Sequence, residues 1–79
     1  MDATRLSRLR WRCRRGMLEN DLILTRFLDA RGERMTEKEA VALGALLDLA
    51  DGELWDVLSG RAEPGDAGLQ PLVAELRAV

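Results

Sequence analysis

Apolar residues recur at α-helical spacing in five successive stretches of this sequence, and this repetition constrains the fold more than any other feature. The last stretch shows it most clearly, with apolar residues at i, i+3, i+4 and i+7: Leu69, Leu72, Val73 and Leu76. The predicted helices span about residues 4–15, 17–30, 37–49, 52–59 and 67–78. Each helix buries its stripe only against the others. We therefore predict an all-α fold, a compact five-helix bundle forming one domain over residues 1–79.

Short polar and glycine signals separate these helices. Thr36 and Glu39 have the spacing of a capping box at the start of the third helix. Asp51 is expected to cap the fourth helix. Gly16 follows the basic end of the first helix, and Gly32 follows the second, so both are predicted helix-stop positions.

Two apolar faces indicate how the first two helices pack. Cys13 continues the stripe of Leu6 and Leu9, so we expect a buried cysteine in the core, although its arginine neighbours leave a reactive thiol as the alternative. On the second helix, Leu18 and Leu22 lie off the main apolar face. We therefore expect this helix to be central, with a further element covering that side.

Charge is distributed unevenly along the chain. The net charge is −2, yet residues 1–15 carry +5, with one acid, Asp2, against six arginines: Arg5, Arg8, Arg10, Arg12, Arg14 and Arg15. Such asymmetry indicates an acidic or anionic partner. Nucleic acid is the less favoured choice, because the remainder is acidic and lacks a second basic element or an aromatic platform. We expect docking on an acidic protein surface.

The residue types present exclude several kinds of site. The chain has no histidine and one cysteine, so it cannot form an internal disulfide or a zinc site with the usual ligands. It also has no glycine-rich phosphate loop and no nucleophile elbow. We therefore expect no enzymatic activity, no bound metal and a reducing, cytoplasmic location. No apolar run reaches the roughly 20 residues of a membrane span, so we expect no membrane insertion.

The segment joining the first two predicted helices is the most informative one. Gly16 leaves a spot without a side chain, where the backbone of a partner or a ligand can approach closely. Charged residues flank it, and Trp11 lies off the apolar stripe, a mixture typical of interface anchors. The alternative is purely local: Gly16 would only end a helix, and Arg15 and Glu19 would form a modest ion pair.

This segment resembles the signature of the succinate dehydrogenase flavinylation factors, which comprise bacterial SdhE and mitochondrial succinate dehydrogenase assembly factor 2. Their hallmark is an Arg-Gly-x-x-Glu motif followed by an aspartate, here Arg15, Gly16, Glu19 and Asp21. A second block, residues 46–60, is similar to the family's acidic turn, aromatic-Asp pair and following glycine. Its turn reads Asp-Gly-Glu where the family often has Asp-Pro-Asp. The resemblance extends over nearly the whole chain.

The resemblance implies a five-helix assembly factor without a cofactor of its own, acting on the FAD of its partner. That partner is the flavoprotein subunit of succinate dehydrogenase, and in some bacteria of fumarate reductase. FAD is attached there through its 8α-methyl group to a histidine of the partner. We expect a monomer in the bacterial cytoplasm. An antitoxin-like or regulatory module with a different partner is the alternative.

Two groups of residues are expected to contact the partner. The first lies in and around the motif: Trp11, Arg14, Arg15, Gly16, Met17, Glu19 and Asp21. The second lies on the first helix and in the second block: Arg8, Asp51, Trp55 and Asp56.

Overall fold

Five α-helices and two short 3₁₀ turns form the fold within residues 2–14 and 16–79, the part of the chain that the computed structural model describes. The helices are α1 (Ala3–Arg12), α2 (Leu18–Arg31), α3 (Glu37–Leu47), α4 (Asp51–Leu58) and α5 (Gln70–Ala78). One 3₁₀ turn, Gly32–Arg34, follows α2, and the other, Ala67–Leu69, precedes α5. The predicted all-α, five-helix architecture is confirmed.

Several helix ends differ from the predicted ones. α1 ends at Arg12, three residues early, because the chain tightens there: the N–H of Arg14 donates to the Trp11 carbonyl, three residues back, at 3.2 Å. α3 ends two residues early, at Leu47. α5 begins at Gln70, because the three residues before it form a tighter 3₁₀ turn.

One of the two predicted helix caps is correct. The Thr36 hydroxyl accepts from the Glu39 N–H at 3.1 Å, and the Glu39 carboxylate accepts from the Thr36 N–H at 3.0 Å. The predicted Asp51 cap is wrong, because Ala50 occupies the N-cap position and Asp51 is the first helical residue. Its carboxylate there lies near the positive end of the α4 dipole, which still favours an acid.

The apolar stripes meet in one core, as their spacing predicts. α2 packs against both α4 and α5, α3 packs against α5, and α1 lies against the 3₁₀ turn after α2. The side chains with almost no exposure include Leu24, Phe27, Leu43, Leu54 and Val73. The Cys13 side chain is buried too, which confirms its place in the core.

The second side of α2 is not covered as expected. Leu18 is 65% exposed and Leu22 is 47% exposed, although α2 is central and is contacted by two helices. Both contacting helices approach the face that carries Leu24 and Phe27, whereas Leu18 and Leu22 lie on the opposite side and stay exposed. The prediction of a covered second side is therefore wrong.

Among the described residues, no helix has both the length and the apolar character to cross a bilayer.

Arg31 fastens the end of α2 to two other helices. Its guanidinium donates to the Glu39 carboxylate of α3 at 2.7 and 2.8 Å, and to the Glu75 carboxylate of α5 at 2.9 and 3.0 Å. The Thr36 N–H and the Arg31 charge hold the pKa of Glu39 below its ordinary value of 4.5. The negative charge of Glu39 therefore stabilises the folded state.

We expect Glu39→Gln to lower the free energy of unfolding by about 1 kcal/mol at neutral pH, because the amide keeps the shape but loses the charge-assisted bonds. A lowered folded-state pKa stabilises the fold above 4.5, and the contribution is lost as the pH falls through that lowered value. Urea unfolding at about pH 7 and about pH 3 measures the difference. An equal difference at both pH values would contradict this account.

Candidate partner-binding surface

The segment singled out in the sequence forms the turn between α1 and α2. Gly16 has a φ of +89°, in the left-handed region that side-chain-bearing residues rarely adopt. Met17 is extended and precedes the first residue of α2. Gly16 is exposed, and a Cβ built on it would meet nothing within 4 Å. Glycine is thus favoured by the backbone conformation of the turn rather than by crowding, and this surface is open to a partner.

Charged residues lie on both sides of this turn. Arg14 precedes it and is exposed, and neither Arg14 nor the exposed Glu19 forms an ion pair with a residue that the structure describes. Glu19 and Asp21 fall in the first turn of α2, where the helix dipole favours acidic side chains. Arg15 lies outside the described residues, and so does its predicted pair with Glu19.

Three arginines of α1 are bound within the protein. They form ion pairs with neighbouring helices: Arg5 with Glu37, Arg10 with Asp29 at 3.0 Å, and Arg12 with Asp48 at 2.8 Å. Arg8 forms no such pair in the described part of the chain. In the described part of this end of the molecule, Arg8 and Arg14 therefore carry the basic charge that remains available for a partner.

Trp11 adds a large apolar side chain to the outer face of α1. It is 74% exposed, the most of any large apolar residue in the described part of the chain. Trp11 and Arg8 line one shallow depression on this face. An exposed indole next to an unpaired guanidinium is a combination enriched in protein interfaces.

Asn20 connects the motif to the second sequence block. Its side chain is fully buried, and its Nδ2 donates to the Asp51 carbonyl at 3.0 Å and to the Met17 Sδ at 3.5 Å. Its Oδ1 has no partner among the described residues. The start of α4 is thereby held against the start of α2. Sequence reasoning missed this role, although an amide on an apolar helix face was a signal that it needed a partner.

The second block is only partly brought to the motif. Asp51 is held there through Asn20, and Trp55 follows one turn later on the same flank of α4, half-buried against the core. Asp56 lies about 140° around α4 from Asp51. It pairs with Arg61 at 3.9 Å and lines a separate groove of about 410 Å³ with Leu49. Asp56 is thus set apart from the motif turn.

The arrangement is suited to contact rather than to chemistry on a bound ion. Within residues 2–14 and 16–79, no group of three or more acidic or cysteine side chains is placed to hold a metal ion. The features near the turn are an open glycine, the charges of Arg14 and Glu19, which have no ion pair among the described residues, and an exposed indole on the outer face of α1. Such a surface can bind another protein.

Comparison with known proteins identifies the family of this chain. A family model described as "Flavinator of succinate dehydrogenase" matches residues 7–79. A protein of Ralstonia nicotianae named "FAD assembly factor SdhE" is 40% identical, over 99% of this chain and 86% of its own. Its namesake in Methylococcus capsulatus is 43% identical over 91% and 87%, and that of Legionella pneumophila (strain Lens) is 45% identical over 81% of both chains. No solved structure matches significantly. The chain belongs to the family of succinate dehydrogenase flavinators.

Proposed function

We propose that this protein is an assembly factor that binds the flavoprotein subunit of succinate dehydrogenase and promotes the covalent attachment of FAD to it. The observation that carries the proposal is the family match, which spans residues 7–79 and therefore includes α2 to α5 and most of α1. Three relatives, from Ralstonia nicotianae, Methylococcus capsulatus and Legionella pneumophila, are named FAD assembly factors.

The motif turn supplies a physical basis for this role. The attachment chemistry belongs to the flavoprotein and its FAD, whose 8α-methyl carbon becomes bonded to a histidine of that subunit. This chain acts by binding: Gly16 admits close approach of the partner, while Arg14, Met17, Glu19 and Asp21, together with Arg15, make polar and apolar contacts around it. If the factor binds the reactive conformation of the subunit preferentially, it raises the population of that conformation. Better alignment of the histidine with the flavin then lowers the barrier.

The same proposal covers the finer points of the role. The chain acts as a non-enzymatic, monomeric factor of one domain in the bacterial cytoplasm and carries no cofactor of its own. The flavoprotein subunit of fumarate reductase is a second client. The half-buried Asp51 and Trp55 support the motif from the second block.

Covalent flavin on the cognate flavoprotein subunit tests the proposal. Cells with the gene, without it, and with the gene restored are compared by flavin fluorescence after denaturing electrophoresis, at equal amounts of subunit. We expect fluorescence to be lost without the gene and regained on restoration. Unchanged fluorescence in all three would overturn the proposal, and affinity capture would then identify the alternative partner.

A further inference from the structure

Leu18 and Leu22 are far more exposed than the other large apolar residues of α2. Leu18 and Leu22 are 65% and 47% exposed, whereas Leu24, Phe27 and Leu28 are at most 1% exposed. Because they are four residues apart, Leu18 and Leu22 lie on consecutive turns of the same side and form a ridge. Single exposed apolar residues are common, but two aligned on consecutive turns form a continuous apolar ridge that can serve as an interaction site.

Trp11 does not belong to this ridge. It lines its depression with Thr4, Ser7, Arg8 and Arg12 of α1, and no residue of α2 takes part in that lining.

The ridge is continuous with the motif turn. Leu18 is the second variable position of the Arg-Gly-x-x-Glu motif and begins α2 directly after the turn. A partner that approaches Gly16 therefore meets Leu18 next and Leu22 one turn later. This continuity identifies the occupant of the ridge as the same protein that binds the turn.

The charges around the ridge indicate what that occupant presents. Arg14 before the turn and Arg26 one turn beyond Leu22 are exposed, as is Glu19, and none of the three forms an ion pair with any residue in the described ranges. An apolar ridge with these charges at its rim complements an apolar patch with a charged rim.

We propose that Leu18 and Leu22 dock on an aliphatic patch with a charged rim on the flavoprotein subunit. This inference rests on the proposed function and extends its contact surface one helical turn beyond the motif. It assigns the two leucines a role in affinity, because burying each exposed aliphatic surface contributes roughly tenfold to the binding constant.

The test measures the dissociation constant between the purified chain and the purified flavoprotein subunit that has not yet acquired covalent flavin. Leu22→Ser is expected to weaken binding about tenfold, and the Leu18→Ser/Leu22→Ser double variant about a hundredfold. Val79→Ser is the matched control. Val79 is 42% exposed, but it directly follows α5, which packs on the core side of α2. The control is expected to bind within about twofold of the unaltered chain. Circular dichroism and the melting temperature verify that each variant is folded.

The outcomes separate this inference from the proposed function. If the double variant binds the flavoprotein subunit as tightly as the unaltered chain does, the proposed role of the ridge is wrong and the proposed function stands. Absence of wild-type binding would overturn both. Light scattering of the chain by itself provides a further arm: if the double variant abolishes a homodimer while leaving flavoprotein affinity unchanged, the ridge serves self-association and the proposal is wrong.

Discussion

Gly16→Arg is expected to abolish covalent flavinylation of the partner, whereas Gly60→Arg is expected to leave it intact. The two glycines are matched: their φ angles are +89° and +87°, both are exposed, and a Cβ built on either meets nothing within 4 Å. Arginine therefore introduces similar backbone strain at both, of roughly 1–2 kcal/mol. Only Gly16 lies in the turn proposed to admit the partner.

The expected loss of flavinylation in the Gly16→Arg variant comes from a clash with the partner. A long cationic side chain where a backbone approaches closely imposes a clash of several kcal/mol, which corresponds to a loss of about a hundredfold or more in affinity. Flavin fluorescence of the denatured partner, at equal subunit abundance, is the measurement, with the melting temperature of both variants as the stability check. Equal loss of flavinylation in both would attribute the effect to strain. Full activity of Gly16→Arg would exclude the turn from the contact.

The architecture could be predicted from the sequence because the apolar residues of each helix recur at helical spacing. The stripe of α5 and the capping pair of Thr36 and Glu39 are local patterns, and both are present in the structure. Helix ends were harder, since they depend on which hydrogen bond closes the last turn. At α1 that bond is the one from Arg14 to Trp11, and at α4 the N-cap residue is Ala50 rather than Asp51.

The composition of the surface could be predicted only in part. The basic cluster near the N-terminus is evident in the sequence, but its free charge is not, because Arg5, Arg10 and Arg12 find acids 19 to 36 residues away. The exposure of Leu18 was missed for a related reason. Spacing reveals which side of a helix is apolar, but whether another element covers that side depends on the packing of the whole chain.

Asn20→Asp is expected to destabilise the fold by about 3–5 kcal/mol at neutral pH, whereas Asn20→Leu is expected to change the free energy of unfolding by about 1 kcal/mol or less. Asn20 is fully buried and its amide nitrogen donates to the Asp51 carbonyl at 3.0 Å. Aspartate removes that donor and places a buried charge beside a carbonyl oxygen. Leucine also loses the bond, but it removes the unpartnered Oδ1 and its desolvation cost.

A destabilisation of this size would remove a large part of the stability of a chain of 79 residues, since domains of this length are stable by roughly 4–12 kcal/mol. Urea unfolding at neutral pH followed by circular dichroism measures both variants. If leucine were as harmful as aspartate, the bond to Asp51 would outweigh the desolvation of the unpaired oxygen. If leucine preserves stability, its flavinylation activity becomes informative. A stable Asn20→Leu protein with reduced flavinylation would mean that the amide positions the motif turn against α4 and does more than fill the core.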